Sequence, residues 1–137
     1  MGNAIDVIRG VFPEIPFHKF LGIQILETTP DRAKVAVEFK PEFAGGGDAY
    51  HGGVISSLID LTGALAAWSG HDDTKGMKAS TVMLSVQYLS AAQGEAVVAE
   101  GRVMKRGKDL IFCEIDVVSK ASQKPIAKGT LVYRIAA

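Results

Sequence analysis

The residues with the most chemical promise are His51, Gly52, Gly53 and, further along the same apolar run, Asp60. Between Gly52 and Gly70 nothing is charged except Asp60, so one carboxylate stands in the most hydrophobic stretch of the chain. Burying an unpaired carboxylate is costly or forces its pKa upward, so such a group is either hydrogen-bonded or kept for chemistry. Spacing alone serves two readings equally: a structural carboxylate tied to a neighbouring amide or hydroxyl, and a catalytic base or nucleophile. Gly52 and Gly53 place bare backbone amides ahead of it, and the first N–H groups of a helix have no intrahelical partner. With the helix dipole behind them, such amides suit an oxyanion or a polarised carbonyl.

The element that must carry these groups spans residues 54–68. Val54, Ile55, Leu58, Ile59, Leu61, Thr62, Leu65 and Ala66 cover most of its circumference at helical spacing, and Ser56, Ser57, Asp60, Gly63, Ala64 and Ala67 form a narrower stripe of small and polar residues. A helix apolar nearly all round is a buried helix. Residues 3–12 predict a short amphipathic helix on Ala4, Ile5, Ile8 and Phe12, closed off by Pro13 and Pro16, so that residues 1–17 form a helical lead-in. Residues 20–27 predict a strand, 28–31 a turn, and 32–40 a second strand in which Ala33, Val35, Val37 and Phe39 alternate with charged residues. Residues 41–49, with Gly45-Gly46-Gly47, and residues 69–76 read as loops flanking the central helix. Beyond them Val82, Leu84, Val86 and Tyr88, then Val97, Ala99, Gly101 and Val103, then Ile111, Cys113, Ile115 and Val117, then Ala127, Leu131, Tyr133 and Ile135 each mark one apolar strand face. Turn signals at 91–94, 106–109 and 121–125 predict an antiparallel meander.

The chain of 137 residues suits one domain, 1–137, and its formal net charge of zero argues against nucleic acid or a polybasic membrane surface as partner. The single cysteine, Cys113, excludes an intrachain disulfide framework and fits a reducing cytoplasm. The N-terminus carries Asp6 and Arg9 among its apolar residues and has no signal-peptide core, and the 54–68 run is too short to span a membrane. A soluble, cytoplasmic protein is expected. Neither His18 nor His71 has a metal-ligand partner at helical or hairpin spacing, and Ser56 and Ser57 show no activating triad, which leaves these four packing, surface or substrate-contact roles. The triple glycine lacks the Lys and Ser or Thr of a phosphate-binding loop.

A one-sided sheet of five or six antiparallel strands needs a cover, and the long apolar helix is the one available, so the economical α+β architecture wraps the sheet around that helix. Here the chain resembles the hotdog-fold superfamily over nearly its whole length. More narrowly it resembles the acyl-CoA thioesterases of the phenylacetic-acid-degradation type, through His51-Gly52-Gly53, Asp60 on the central helix, and the strand at 81–90 that follows. The resemblance implies hydrolysis of an acyl- or aryl-CoA thioester to free acid and CoA with no metal or redox cofactor. It implies Asp60 as general base or nucleophile, Gly52 and Gly53 amides at the oxyanion, a hydroxyl from Thr81 near the water, and His51 as a positioning group. Many relatives carry Asn and Gly where this chain has Gly45 and Asp48, so the role of that Asn is unfilled or moved. Asp48 reads as an ordinary loop aspartate. Tyr50, Ser57, Phe43 and Trp68 are candidates to contact the acyl or aryl group, with core packing the default for Trp68. Lys105, Arg106 and Lys108 are candidates for the CoA phosphates, with solvated turn charges as the plain alternative.

Along one helix the amides and Asp60 are separated by roughly 10 to 12 Å, whereas reacting groups meet within about 3 Å. One copy of the helix cannot serve both ends of one reaction. The geometry therefore predicts a homodimer in which each site takes amides from one chain and Asp60 from the other, and the resemblance makes a homotetramer, a dimer of dimers, plausible. Two other classes compete with the hydrolase: a hotdog dehydratase or hydratase, whose His and acidic motifs are not found here, and a non-catalytic acyl-CoA binder, which the glycine at position 45 would suit.

Overall fold

The computed structural model describes residues 4–137, so the expected helix start at Asn3 lies outside the described residues. Helix α1 (Ala4–Val11) runs into a 3-10 turn (Phe12–Glu14) and a second short helix, α2 (Pro16–Leu21). Strands β1 (Gln24–Thr29) and β2 (Arg32–Val37) form a hairpin. A small two-stranded ladder, β3 (Ala44–Gly46) with β4 (Ala49–Tyr50), leads into the long helix α3 (Gly52–Ser69). Strands β5 (Lys78–Tyr88), β6 (Val97–Arg106), β7 (Leu110–Ser119) and β8 (Pro125–Ala136) complete a six-stranded antiparallel sheet in the order β1-β2-β6-β7-β8-β5. The expected architecture is present: a sheet curled around one apolar helix.

The sheet grips α3 because its inward faces carry Val35, Val37, Ala99, Ile115, Val117 and Leu131, all but excluded from water, against Leu58, Ile59, Leu65 and Ala66 of the helix. Glycines set how close the two layers come. A Cβ at Gly129 of β8 would lie 2.6 Å from Ile59 Cγ2 and 3.0 Å from the Ser85 carbonyl oxygen; one at Gly63 of α3 would lie 2.6 Å from Leu131 Cδ2. Gly63 and Ala67, expected on the small-residue stripe with Asp60, are therefore turned to the sheet. The convex face carries cross-strand ion pairs, among them Arg32–Glu100 at 3.7 Å and Lys128–Asp116 at 3.1 Å.

Four expectations need correction. Pro16 does not end a helix but opens one, at the first-turn position where its missing N–H is harmless, and Gly22 in the left-handed conformation (φ 69°) stops it, so Phe20 is helical and β1 starts only at Gln24. The Gly45–Gly47 stretch is not plain loop but holds β3. The meander is interrupted: β5 pairs with β8 at the sheet edge and β6 pairs with β2. The cause is the segment after β5, which is pinned across the start of α3 by Tyr50 N–H to Ala92 O (3.0 Å) and Gly94 N–H to Asp48 O (2.8 Å) and so carries the chain away from β5. Within β5 a bulge between Thr81 and Met83 inserts Val82, so Thr81, not Val82, shares the inward face with Leu84, Val86 and Tyr88.

Because the helix and sheet meet through glycine at β8, Gly129→Val should lower unfolding stability by about 1 to 3 kcal/mol, the usual range for overpacking a filled core. Equilibrium urea denaturation checks this, with a reduced midpoint at unchanged slope as the expected result.

Candidate active site

Asp60 leaves α3 on the one side that the sheet does not cover, half-buried, facing β5 and the N-terminal helices. Thr81 Oγ1 donates to Asp60 Oδ1 at 2.7 Å, and among the described residues the second carboxylate oxygen accepts nothing. The carboxylate is thus held in one orientation with one oxygen open. Thr81 owes its place to the bulge, and its cross-strand partner on β8 is Tyr133, whose ring lies on the same inward face. The Tyr133 oxygen accepts a hydrogen bond from Trp68 Nε1 at 3.2 Å. Burial pushes the Tyr133 phenol up, against the Trp68 bond that lowers it, and the charge of Asp60 pushes it up further.

Asp60 sits in a groove of about 510 Å³. Its floor is the α3 stripe Ser57, Asp60, Leu61, Ala64 and Trp68; its far wall is Val7, Ile8 and Val11 of α1 with Phe12, Ile15, Phe17 and His18; Met77, Thr81 and Tyr133 close the sheet side. Ser57 Oγ donates to the Gly53 carbonyl at 2.7 Å, a bond back along its own helix. His18 Nδ1 is 2.9 Å from the Phe12 carbonyl, which anchors the ring to the turn before α2.

The other end of α3 is built by His51, its N-cap residue. The His51 Nδ1 accepts from the Gly53 N–H at 2.8 Å, so that nitrogen is the unprotonated one, and a Cβ at Gly53 would lie only 2.9 Å from it. The Gly53 amide is therefore occupied. Gly52 alone keeps a first-turn N–H with no partner among the described residues, while its carbonyl accepts from Tyr88 OH at 3.1 Å. Eight residues of helix separate Gly52 from Asp60, roughly 12 Å at the α-helical rise.

The remaining candidates fall elsewhere. Tyr50 is 8% exposed, its hydroxyl donates to the Glu95 carbonyl at 2.6 Å, and its ring packs between Phe39 and Phe43, so it is a core residue that does not line the Asp60 groove. Burial, with Glu38 and Glu95 adding to it, pushes its phenol well above the usual range. Phe43 is likewise wholly buried. Arg106 turns inward: its Nη2 donates to Asp31 Oδ1 at 2.7 Å and to the Ala67 carbonyl at 2.9 Å, tying the end of α3 to the β1–β2 turn. Lys105 and Lys108 remain exposed, with no ion pair among the described residues. Cys113 is buried, which pushes its thiol up to about 11. The described residues include no group of three or more His, Cys, Asp or Glu side chains able to hold a metal ion.

Sequence reasoning missed the groove wall and Tyr133. The alternation on α1 gave a signal, since Val7 and Val11 are apolar yet off the Ile8 face; nothing local links Tyr133 to Asp60.

Known proteins share this fold. Escherichia coli PaaI superposes with a TM-score of 0.86 at 23% identity, covering 98% of this chain and 94% of that one. Zebrafish thioesterase superfamily member 2 gives a TM-score of 0.83 at 22% identity over 97% and 98% of the two chains. Human acyl-coenzyme A thioesterase 13 is 28% identical over 126 residues, 90% of this chain and 88% of its own. A protein of Saccharolobus solfataricus that carries the name of an esterase is 32% identical over 117 residues, 85% of this chain and 81% of its own. Residues 48–126, from the loop ahead of His51 through Asp60 and Thr81 to the start of β8, match the thioesterase superfamily, and by that match the chain belongs to this family.

Proposed function

We propose that this thioester hydrolase acts on acyl-CoA, cleaving it to the free acid and CoA at a site shared between two copies of the chain. One observation carries the reading: a carboxylate oriented by Thr81 lies on the same rigid helix as the Gly52 amide, both open among the described residues, at a distance no single substrate carbonyl can bridge. In the proposed step the Gly52 N–H polarises the thioester carbonyl while Asp60 of the partner subunit takes a proton from water. The water oxygen adds to the carbonyl carbon, and the amide holds the oxyanion. The tetrahedral species collapses with its C–S bond broken, and Asp60 returns the proton to the leaving thiolate. Thr81 keeps the carboxylate pointed at the water, and His51 fixes the helix start so that Gly52 stays free. Lys105 and Lys108 are the candidates for the CoA phosphates, whereas Arg106 is assigned to structure because it is already held by Asp31 and the Ala67 carbonyl.

The dimer in this reading forms through β5. That strand is a sheet edge exposing Val82, Met83 and Tyr88. Paired antiparallel with its own copy about Ser85, with the bulged Val82 passed over, it sets Thr81 across from Tyr88 of the partner subunit. Asp60 then stands beside the other protomer's Gly52. A homotetramer would be two such dimers, and a cytoplasmic location agrees with the buried lone cysteine.

Asp60→Asn should remove most turnover of acyl-CoA in a thiol-release assay while thermal melting stays cooperative. Gly52→Pro removes the amide proton at a first helical position, where proline is welcome, with its Cβ set 3.3 Å from the Tyr88 ring, and should lower kcat by about 100-fold or more. Mixing the two inactive variants after unfolding and refolding should restore about a quarter of wild-type activity, because half the dimers are mixed and each has one intact site. No recovery would mean each chain works alone. Ser85→Cys should give an inter-subunit disulfide on mild oxidation, since facing residues of antiparallel strands lie about 4.5 to 5.5 Å apart. Single turnover in 18O-labelled water should leave the protein unlabelled; label in Asp60 would make that residue the nucleophile.

A further inference from the structure

The groove at Asp60 continues well past the carboxylate, and its end is built. Along α3 the side chains open to it are Ser57, Asp60, Leu61, Ala64 and Trp68, a stripe that runs in steps of three and four residues on one helix face. Beyond Asp60 the stripe has one apolar wall residue, then an alanine that leaves room, then the largest side chain of the helix. Trp68 is fixed on two sides: its Nε1 donates to the Tyr133 hydroxyl at 3.2 Å, and the His71 ring stands edge-on to it at 5.3 Å between centroids. His71 in turn is held by a 2.6 Å hydrogen bond to the Gly76 carbonyl. A tryptophan pinned in this way is an end wall rather than a mobile lining.

We propose that the Trp68–Tyr133 pair is the end-stop of the acyl groove and makes this enzyme selective for straight acyl groups of about eight to ten carbons, since Trp68 stands eight residues or roughly 12 Å of helix beyond Asp60. The proposal deepens the acyl-CoA reading and rests on it. The groove volume of about 510 Å³ accommodates such a tail with Val7 and Val11 of α1 lying over it, and these two valines are otherwise left about 60% exposed. A shorter acyl group leaves the Ala64 to Trp68 segment wet; a longer one meets the indole.

Trp68 is the only tryptophan in the chain, so it reports directly on whether a tail reaches it. In Asp60→Asn, titration with acyl-CoA from acetyl to hexadecanoyl should leave the emission unchanged for acetyl and butyryl and shift it from about eight carbons upward. In the wild type, kcat/KM should peak at about eight to ten carbons. Trp68→Ala should move that peak to longer chains and raise the hexadecanoyl value about tenfold or more, while Ala64→Phe should depress octanoyl and decanoyl by at least that factor and spare butyryl. Tyr133→Phe, a milder change that frees the indole, should broaden the upper limit if Trp68→Ala fails to fold. Hydrolysis whose length profile ignores all three substitutions would overturn the end-stop but leave the hydrolase reading standing. A length-dependent emission change without hydrolysis of any acyl-CoA would do the reverse.

Discussion

Enclosure of α3 is the constraint from which the rest of the structure follows. A helix apolar around nearly its whole circumference has no stable place in water, and each fully buried leucine or isoleucine of Leu58, Ile59 and Leu65 contributes about 1.5 to 3 kcal/mol only if something covers it. The sheet supplies that cover on three sides, drawn close by Gly63 and Gly129. Tight contact leaves no space for a charge on the enclosed faces. Asp60 is tolerable on the remaining face alone, where Thr81 can hydrogen-bond it and solvent can reach its other oxygen. The position of the carboxylate is thus a consequence of packing before it is a matter of chemistry.

The same rigidity creates the argument for a second subunit. A helix buried by a sheet cannot bend to bring its first turn to its middle, so the free Gly52 amide and the Asp60 carboxylate stay where the helical rise puts them. In the proposed dimer two-fold symmetry would solve the problem with no new element: an antiparallel copy would carry a first turn to a middle and a middle to a first turn at once. The edge position of β5 has the same logic. An unpaired edge with exposed Val82 and Met83 invites pairing, and β5 is the strand that contacts both ends, through Thr81 to Asp60 and through Tyr88 to Gly52.

Local signals in the chain were enough for α3, for the strand alternations and for the His51-Gly52-Gly53 and Asp60 pattern, because each depends on periodicity or on neighbours within one helix. The order of the strands was not legible, since the choice of β2 rather than β5 as neighbour of β6 is made by hydrogen bonds from the 89–96 segment to β4 and the residues beside it. The bulge that turns Thr81 inward was hidden for the same reason: nothing in the residues 81–83 marks which one will be left out. Arg106 and Tyr50 show the complementary error. Their types suggest phosphate and aryl contacts, but their partners Asp31, Ala67 and Glu95 lie far along the chain and tie them into the fold. Pro16 and Gly22 were legible in principle, as a start and a stop for α2, had each been weighed with the other.

Gly45 sets how closely the chain packs at the amide end of the proposed site. A Cβ at Gly45 would lie 2.8 Å from the Cα of His51, a backbone contact that no side-chain rotation relieves. The β3–β4 ladder therefore closes directly onto His51, with the His51 N–H donating to the Phe43 carbonyl at 2.7 Å. So held, the imidazole reaches back to the Gly53 amide and occupies it. A side-chain amide at position 45 would have to push the ladder away from His51, loosening the cap that keeps the first turn in place. In the proposed site the oxyanion would be left to the single Gly52 donor and to the dipole of the eighteen-residue helix that it opens. Fewer donors with firmer placement is a workable exchange, because a preorganised amide acts at the moment charge develops, without reorientation.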